Sequence, residues 1–167
     1  MFFVTGLPRS RTAWFSVFLS NGRDRFCYHE LLSKCHSRED FYDAMESTEK
    51  YGEVGNSDCG LPLTDFQERW PKAPTLIVHR PHAAEPIDGM RNYLRQLKGM
   101  HVEWEDIDDR LSDIHYYLTG IAANIDRVSL CKKMNIQLKR LPITSSRQVD
   151  IWRPFPWKIM YQGDQVR

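Results

Sequence analysis

The order of apolar and polar positions along the chain predicts strands and helices that alternate. Residues 1–4 and 75–79 are apolar runs, rich in aromatic or β-branched side chains, of the kind found in buried strands. Shorter or more mixed runs predict three further strands, at 26–29, 51–56 and 136–141. Helices are predicted directly after residue 14 and at 37–50, 61–70, 88–97 and 106–134.

Two of the predicted helices carry further signals. Ser37, followed three residues later by Asp40, is typical of a capping arrangement at the start of the 37–50 helix. Within 106–134, apolar residues recur every three or four positions, as one face of a helix requires. These residues are Ile107, Leu111, Ile114, Leu118, Ile121, Ile125 and Val128. Gly120 lies inside this segment, where we expect it to bend the helix or to let a neighbour approach.

Strands separated by helices are typical of a parallel sheet with crossover helices. We therefore predict an α/β fold with three layers (α/β/α) and a mostly parallel sheet of about five strands. The sequence has no internal repeat, low-complexity tract or linker, so we expect residues 1–167 to form a single domain.

Composition narrows the possible functions. The chain has 167 residues, a formal net charge of +1 and 41% hydrophobic residues, which fits one ordinary globular core. Because the charge is close to zero and no basic stripe with interleaved aromatics is present, we expect no nucleic-acid partner.

Targeting and cysteine usage indicate a cytoplasmic protein. No apolar run approaches the roughly 18 residues that a membrane span needs, and the first strand begins too early for a signal peptide. We therefore expect no membrane association. The four cysteines are irregularly spaced, which predicts reduced thiols. Cys27 with His29 and Cys35 with His36 fit no standard zinc spacing, so we predict no metal site.

Residues 6–14, G-L-P-R-S-R-T-A-W, are the most informative stretch. They join a predicted strand to a predicted helix through a turn with Arg9, Arg11, Ser10 and Thr12. Backbone N–H groups at a helix N-terminus point outward, and the helix dipole favours an anion there. Arginine and hydroxyl side chains add charge-assisted hydrogen bonds. The segment therefore predicts a phosphate- or sulfate-binding loop.

This loop is not a Walker A motif, because Arg11 and Thr12 stand where that motif has its second glycine and its lysine. It resembles instead the 5′-phosphosulfate loop of sulfotransferases, whose usual pattern is P-[KR]-S-G-T-x-W. Five positions match that pattern: Pro8, Arg9, Ser10, Thr12 and Trp14. Arg11 stands where the family usually has glycine. Since a residue with a Cβ resists positive φ, we expect Arg11 to adopt an ordinary backbone conformation.

The resemblance implies a P-loop-like fold and the donor 3′-phosphoadenosine 5′-phosphosulfate (PAPS), with 3′-phosphoadenosine 5′-phosphate (PAP) as product. It implies that the donor is bound by Pro8, Arg9, Ser10, Arg11, Thr12, Ala13, Trp14 and Arg80. In this family the tryptophan lies against the adenine ring, although helix periodicity also allows Trp14 to be an interior residue. Arg80 ends a strand in the sequence L-I-V-H-R-P, which is similar to the family's 3′-phosphate site. The serine usually found eight residues later is replaced by Asp88.

Polar residues follow successive predicted strands. His29 and Glu30 follow the second, Asn56 to Asp58 the third, and Arg80 the fourth. Ligands of such sheets bind at the carboxyl ends of the strands. Transfer to a hydroxyl needs a proton acceptor, which is a histidine or a glutamate in different sulfotransferase branches. We assign Glu30 as the candidate base and His29 as the alternative. Because side chains alternate along a strand, we expect the two to face different ways.

The sequence therefore predicts an in-line transfer of a sulfuryl group to a hydroxyl or amine of a small-molecule acceptor. Arg9 and the N–H groups of residues 10–12 would stabilise the leaving phosphate, without a metal. A non-catalytic nucleotide- or phosphate-binding protein and a P-loop kinase remain as alternatives. The identity of the acceptor and the oligomeric state are not encoded in any recognisable pattern.

Overall fold

The structure is a computed structural model that describes residues 1–7, 10–59, 63–80, 88–126 and 128–130. Met1–Ala123 form one compact unit, and a second unit begins at Asn124. In the described part of the second unit, the backbone N–H of Val128 donates to the carbonyl of Asn124 (2.9 Å) in a helical turn. The expectation of a single domain over 1–167 stays a prediction.

Strands and helices alternate through the described residues of Met1–Ala123. The strands are β1 (Phe2–Gly6), β2 (Arg25–His29), β3 (Glu53–Cys59), β4 (Thr75–His79) and β5 (Met100–Glu103). The α-helices are α1 (Thr12–Leu19), α2 (Arg38–Glu49), α3 (Leu63–Arg69), α4 (Asp88–Gln96) and α5 (Leu111–Thr119). A short 3₁₀ helix, Leu32–Lys34, lies between β2 and α2.

The five strands form one parallel sheet in the order β2-β3-β1-β4-β5. The ends of the three central strands are level, since Gly6 of β1 pairs with Cys59 of β3 and Val78 of β4. The carboxyl ends of β1, β2, β3 and β4 therefore meet at one edge of the sheet. The loop 6–14, the His29–Glu30 pair and Arg80 all begin at this edge.

Helices pack on both faces of the sheet. On one face, buried side chains of α2, α3 and α4 form a cluster with those of β1, β3 and β4. Its aromatic centre is a stack in which Phe66 lies 4.7 Å from Phe41 and 5.5 Å from Phe3. On the other face, α1 lies beside α5, where the Phe18 and His115 rings meet edge to face. The predicted α/β architecture is confirmed, with a sheet that is parallel throughout.

The capping prediction for α2 is confirmed. The Ser37 hydroxyl accepts a hydrogen bond from the N–H of Asp40, and the Asp40 carboxylate accepts from the N–H of Ser37, each at 3.1 Å. These two bonds satisfy donors that the first turn of a helix leaves without intrahelical partners. The polar surface helix therefore starts where its sequence predicts.

The prediction of one helix over 106–134 is wrong. Residues 106–109 form turns, and α5 is a nine-residue helix that ends at Thr119, with Gly120 as its C-cap. Gly120 has φ 67°, a left-handed conformation that stops a helix and favours glycine. The apolar face also stops there, since Leu118 is buried whereas Ile121 is 57% exposed. The regular spacing continued beyond the part of the segment that is buried.

The fifth strand of the sheet is a segment that the sequence pattern did not predict. β5 is four residues long, lies at the edge of the sheet and buries only Val102 fully. So short a strand with one buried side chain shows no recognisable alternation. The predicted strand at 136–141 lies outside the described residues. No helix within the described ranges combines the length and apolar character that a bilayer crossing requires.

Candidate functional site

The connection between β1 and α1 is built around a close contact at Gly6. A Cβ at this position would lie 2.7 Å from the Cβ of Ser10 and 2.8 Å from the carbonyl oxygen of Val78. The backbone N–H of Ser10 donates to the carbonyl of Leu7 (3.0 Å) and closes the turn. Glycine at position 6 therefore lets the chain fold back directly over the end of β1. Pro8 and Arg9 lie outside the described residues.

Arg11 has a backbone conformation that its residue type does not favour. Its φ of 63° and ψ of 23° are left-handed, and it occupies the N-cap position of α1. The expectation of an ordinary conformation is wrong. For a residue with a Cβ this conformation costs about 1–2 kcal/mol, which the contacts of the side chain must offset. The turn thus keeps a glycine-type backbone at the position where the sulfotransferase pattern has glycine.

The Arg11 side chain is buried against the segment that follows β5. Its Nη1 donates to Oδ1 of Asp108 at 2.8 Å, and its guanidinium lies 4.3 Å from the centre of the Trp104 ring. Burial lowers the pKa of Arg11, an effect that the Asp108 carboxylate opposes. Sequence analysis missed both partners, because nothing local connects position 11 with positions 104 and 108.

Two further nitrogens of this guanidinium are buried donors. Among the described residues, neither Nε nor Nη2 of Arg11 has a hydrogen-bond partner. The hydroxyl of Ser10, the preceding residue, is also fully buried and without a partner in the described part of the chain. Most buried polar groups in proteins are hydrogen-bonded, so unpaired ones require an explanation. Three such donors at one helix N-terminus match the requirements of an anion.

Thr12, the first residue of α1, connects the loop to the ends of β2 and β3. Its carbonyl accepts a hydrogen bond from the Ser57 hydroxyl (2.8 Å), and its own hydroxyl lies 3.2 Å from Nε2 of His29. Ser57 is completely buried. The N-terminus of α1 is thereby fixed to the edge of the sheet where the predicted base candidates lie.

His29 and Glu30 lie on the same side, which contradicts the expectation that they face different ways. Glu30 follows the last residue of β2 and has φ 52°, so strand alternation no longer applies to it. Its carboxylate turns back to within 3.6 Å of Nε2 of His29. The His29 side chain is 10% exposed and that of Glu30 is 41% exposed. Glu30 is therefore the more accessible of the two base candidates.

β3 contributes an acidic residue whose role the sequence did not indicate. Asn56, Ser57 and Asp58 were expected to follow the third strand but lie inside it, because β3 extends to Cys59. One oxygen of Asp58, one of Glu30 and the Cys59 sulfur lie within 4.8 Å of one another. Burial and then the Glu30 carboxylate raise the pKa of Asp58 to about 7. Burial likewise raises the pKa of the Cys59 thiol.

The three groups have potential metal-ligand atoms, but we do not assign them as a metal centre. Asp58 and Cys59 are both shifted toward their protonated forms, and a metal ligand must be deprotonated. The neighbouring Glu30 carboxylate also disfavours ionisation of Asp58. The arrangement instead fits a pair of carboxylates that holds a proton near neutral pH.

Trp14 is an interior residue. Its side chain is 2% exposed, and its ring stacks on Phe18 at 5.1 Å and meets Phe15 edge to face. A ring in this position presents no exposed face to a ligand, so the structure favours core packing over stacking on adenine. Core packing and stacking on adenine both require an aromatic residue at this position, so the sequence does not separate the two roles. The burial of Trp14 does.

The remaining predicted residues lie around the same edge. Ala13 is half-buried in the first turn of α1, and Arg80 is half-buried directly after β4. Asp88 is the first residue of α4. The structure thus brings the loop, His29, Glu30 and Arg80 to one edge of the sheet.

Comparisons with protein-family models, with curated proteins and with solved structures found no match. The resemblance to sulfotransferases therefore depends on the residues of this chain alone.

Proposed function

We propose that this protein is a sulfotransferase that moves a sulfuryl group from PAPS to a hydroxyl or amine of a small-molecule acceptor. The observation that carries the proposal is the set of buried, partnerless donors at the start of α1: Nε and Nη2 of Arg11 and the Ser10 hydroxyl, within the described residues. They lie in the segment that matches the phosphosulfate loop. Their burial and their shared donor character support an anionic ligand.

The electrostatics of the loop support the same ligand. Within the described residues, no side chain caps the first N–H groups of α1, and a helix N-terminus carries a partial positive charge. The Arg11 guanidinium is held in place by Asp108 and Trp104 before any ligand arrives. Donors fixed in this way stabilise developing negative charge without reorganising. A leaving phosphate at the start of α1 would receive that stabilisation.

The other roles follow from position. Arg9, outside the described residues, would contact the leaving phosphate, and Arg80 at the end of β4 would contact the 3′-phosphate. Glu30 would accept the proton of the acceptor, with His29 beside it at 3.6 Å. In-line transfer forms the S–O bond to the acceptor while the S–O bond to the phosphate breaks, and PAP leaves with the electron pair.

Calorimetric titration with PAP, and separately with ATP and magnesium, tests the proposal. We expect PAP to bind, and we expect Arg9→Ala, Arg11→Ala and Arg80→Ala each to weaken binding about tenfold or more. Arg23→Ala is the matched control, because Arg23 is exposed in the turn before β2, at the opposite end of the strands. Absence of PAP binding by the unmodified protein would refute the assignment.

A non-catalytic nucleotide- or phosphate-binding protein is the second candidate, and the burial of Trp14 favours it. Without a stacking platform at position 14, the adenine of PAPS needs another contact. Binding of PAP without release of PAP from PAPS, across several hydroxyl and amine acceptors, would identify this class. Binding of ATP with magnesium but not PAP would instead indicate a kinase.

A further inference from the structure

Two carboxylates lie at the carboxyl edge of the sheet, although a single catalytic base would need only one. Glu30 directly follows β2, and Asp58 is the penultimate residue of β3. One carboxylate oxygen of Glu30 and one of Asp58 lie within 4.8 Å of each other, and only 6% of Asp58 is exposed. Two ionised carboxylates this close repel each other, so one of them tends to keep a proton.

Charged groups around the two carboxylates do little to neutralise this repulsion. Lys34 of the 3₁₀ helix and the backbone N–H of Cys59 favour ionisation of Asp58, but their effects are smaller than those of burial and Glu30. The Cys59 thiol is adjacent to both carboxylates, and His29 contacts Glu30. From β1, the neighbouring side chain is Thr5, which does not titrate. Asp58 therefore tends to keep its proton near neutral pH.

Two buried polar side chains beside the pair have no partner among the described residues. Thr5 is opposite Asp58 in the register of β1 and β3, so both side chains lie on the same face of the sheet. Its hydroxyl is fully buried and unpaired within the described chain. Asn56, on the same face, accepts a hydrogen bond through Oδ1 from the N–H of Leu31, the residue after Glu30. Its Nδ2 is also buried and unpaired.

Both unpaired groups lie on the same face of the sheet as Asp58, and a polar group of a substrate bound beside Asp58 would satisfy them. A hydroxyl bound there would have hydrogen-bonding partners in Thr5 or Asn56 and a proton acceptor next to it. The arrangement therefore differs from an acidic cluster on a protein surface, whose polar groups water alone can satisfy.

We propose that Glu30 and Asp58 form one proton-sharing carboxylate pair that accepts the proton of the acceptor hydroxyl. This inference rests on the proposed sulfuryl transfer. As the acceptor oxygen bonds to sulfur, its proton passes to Glu30, the exposed member, while the S–O bond to phosphate breaks toward PAP. Asp58 is a positioning residue: its negative charge, once its own proton is lost, favours movement of the acceptor proton toward the two carboxylates. The proton leaves to water after product release.

The titration of the pair is measured first, on the full chain with ¹³C-labelled Asp and Glu carboxyls. We expect one carboxyl to titrate near pH 7, to disappear in Asp58→Asn, and to move toward the ordinary range in Glu30→Gln. Asp113→Asn, an exposed substitution on α5, is the control and should leave this signal unchanged. A titration of Asp58 in the ordinary aspartate range, or no effect of Glu30→Gln, would overturn the pair.

The pH profile of PAP release from PAPS is measured second, with water and phenol as the probe acceptors, because an unactivated phenol keeps its proton between pH 6 and 8. We expect the rate to rise about tenfold between pH 6 and 8, and we expect Asp58→Asn to abolish this rise without changing PAP affinity. An unaltered profile in Asp58→Asn, or PAP binding without release at any pH, would refute the proton-accepting role. If PAP does not bind while the shared titration persists, the proposed function fails and the pair itself stands.

Discussion

Nη1 of Arg11 donates to Oδ1 of Asp108 at 2.8 Å, across 97 residues of sequence, while Arg11 itself has a left-handed backbone. The ion pair and the contact with Trp104 stabilise a conformation that a side chain with a Cβ disfavours. One residue thereby fixes the backbone at the N-cap of α1 and supplies two buried donors there. The relationship explains how an arginine adopts a backbone conformation that favours glycine, at the position where the sulfotransferase pattern has glycine.

Replacing Arg11 separates its backbone effect from its side-chain effect. Arg11→Gly and Arg11→Ala both remove the guanidinium, but only alanine retains a Cβ at φ 63°. We therefore expect Arg11→Ala to be less stable than Arg11→Gly by about 1 kcal/mol in urea denaturation. PAP affinity should fall to a similar extent in both. Equal stability of the two variants would contradict a strained backbone at this position.

Gly6→Ala should disturb the loop through a steric clash. The new Cβ would lie 2.8 Å from the carbonyl oxygen of Val78, a backbone atom that cannot move without shifting β4. We expect a loss of about 1–3 kcal/mol in the free energy of unfolding, together with weaker PAP binding.

Gly89→Ala is the matched control for this substitution. Gly89 lies in α4, and a Cβ there would meet no atom of the described residues within 4 Å. We expect it to be neutral or to stabilise the protein by up to about 1 kcal/mol, because alanine favours helix more than glycine does. A Gly6→Ala variant as stable as Gly89→Ala would show that the turn tolerates a side chain.

Asp58 should make stability depend on pH in an unusual direction. Its pKa is raised from 3.8 to about 7 in the folded protein, so the folded state binds more protons than the unfolded state between these values. The contribution of Asp58 to stability therefore falls as pH rises from about 4 to 7. Asp58→Asn mimics the protonated acid and should exceed the unmodified protein in stability at pH 8, by on the order of 3 kcal/mol.

Urea denaturation at pH 4, 6 and 8 measures this difference. It should shrink toward zero at pH 4, where Asp58 is protonated in the folded protein. A constant difference between the two proteins at all three pH values would show that Asp58 does not titrate in this range.

Ser37→Ala should remove the cap of α2. The hydroxyl accepts the hydrogen bond from the N–H of Asp40, and its loss should cost about 1 kcal/mol of stability. Ser112→Ala, an exposed substitution in the first turn of α5, is the comparison and should change stability by less than about 0.5 kcal/mol. A cost for Ser112→Ala as large as that for Ser37→Ala would indicate that serine loss itself, rather than the cap, is responsible.

The sequence by itself determined the elements whose signals are local. The apolar run Thr75–His79 and the Ser37–Asp40 cap appear in the structure where the pattern predicts them, because each depends on neighbours within a few residues. The order of residues 6–14 predicts an anion-binding loop, and that role stays a prediction. The edge strand β5 gave no signal, since four residues with one buried side chain have no period.

Only the tertiary structure decided the roles of residues that meet across long separations. Arg11 meets Asp108, and Glu30 meets Asp58, because parallel strands bring their carboxyl ends to one edge of the sheet. Burial decided that Trp14 packs in the interior, a distinction that helical spacing alone leaves open. Local residue order determines which conformations are favoured, whereas burial and charge at the site depend on neighbours that the fold brings into contact.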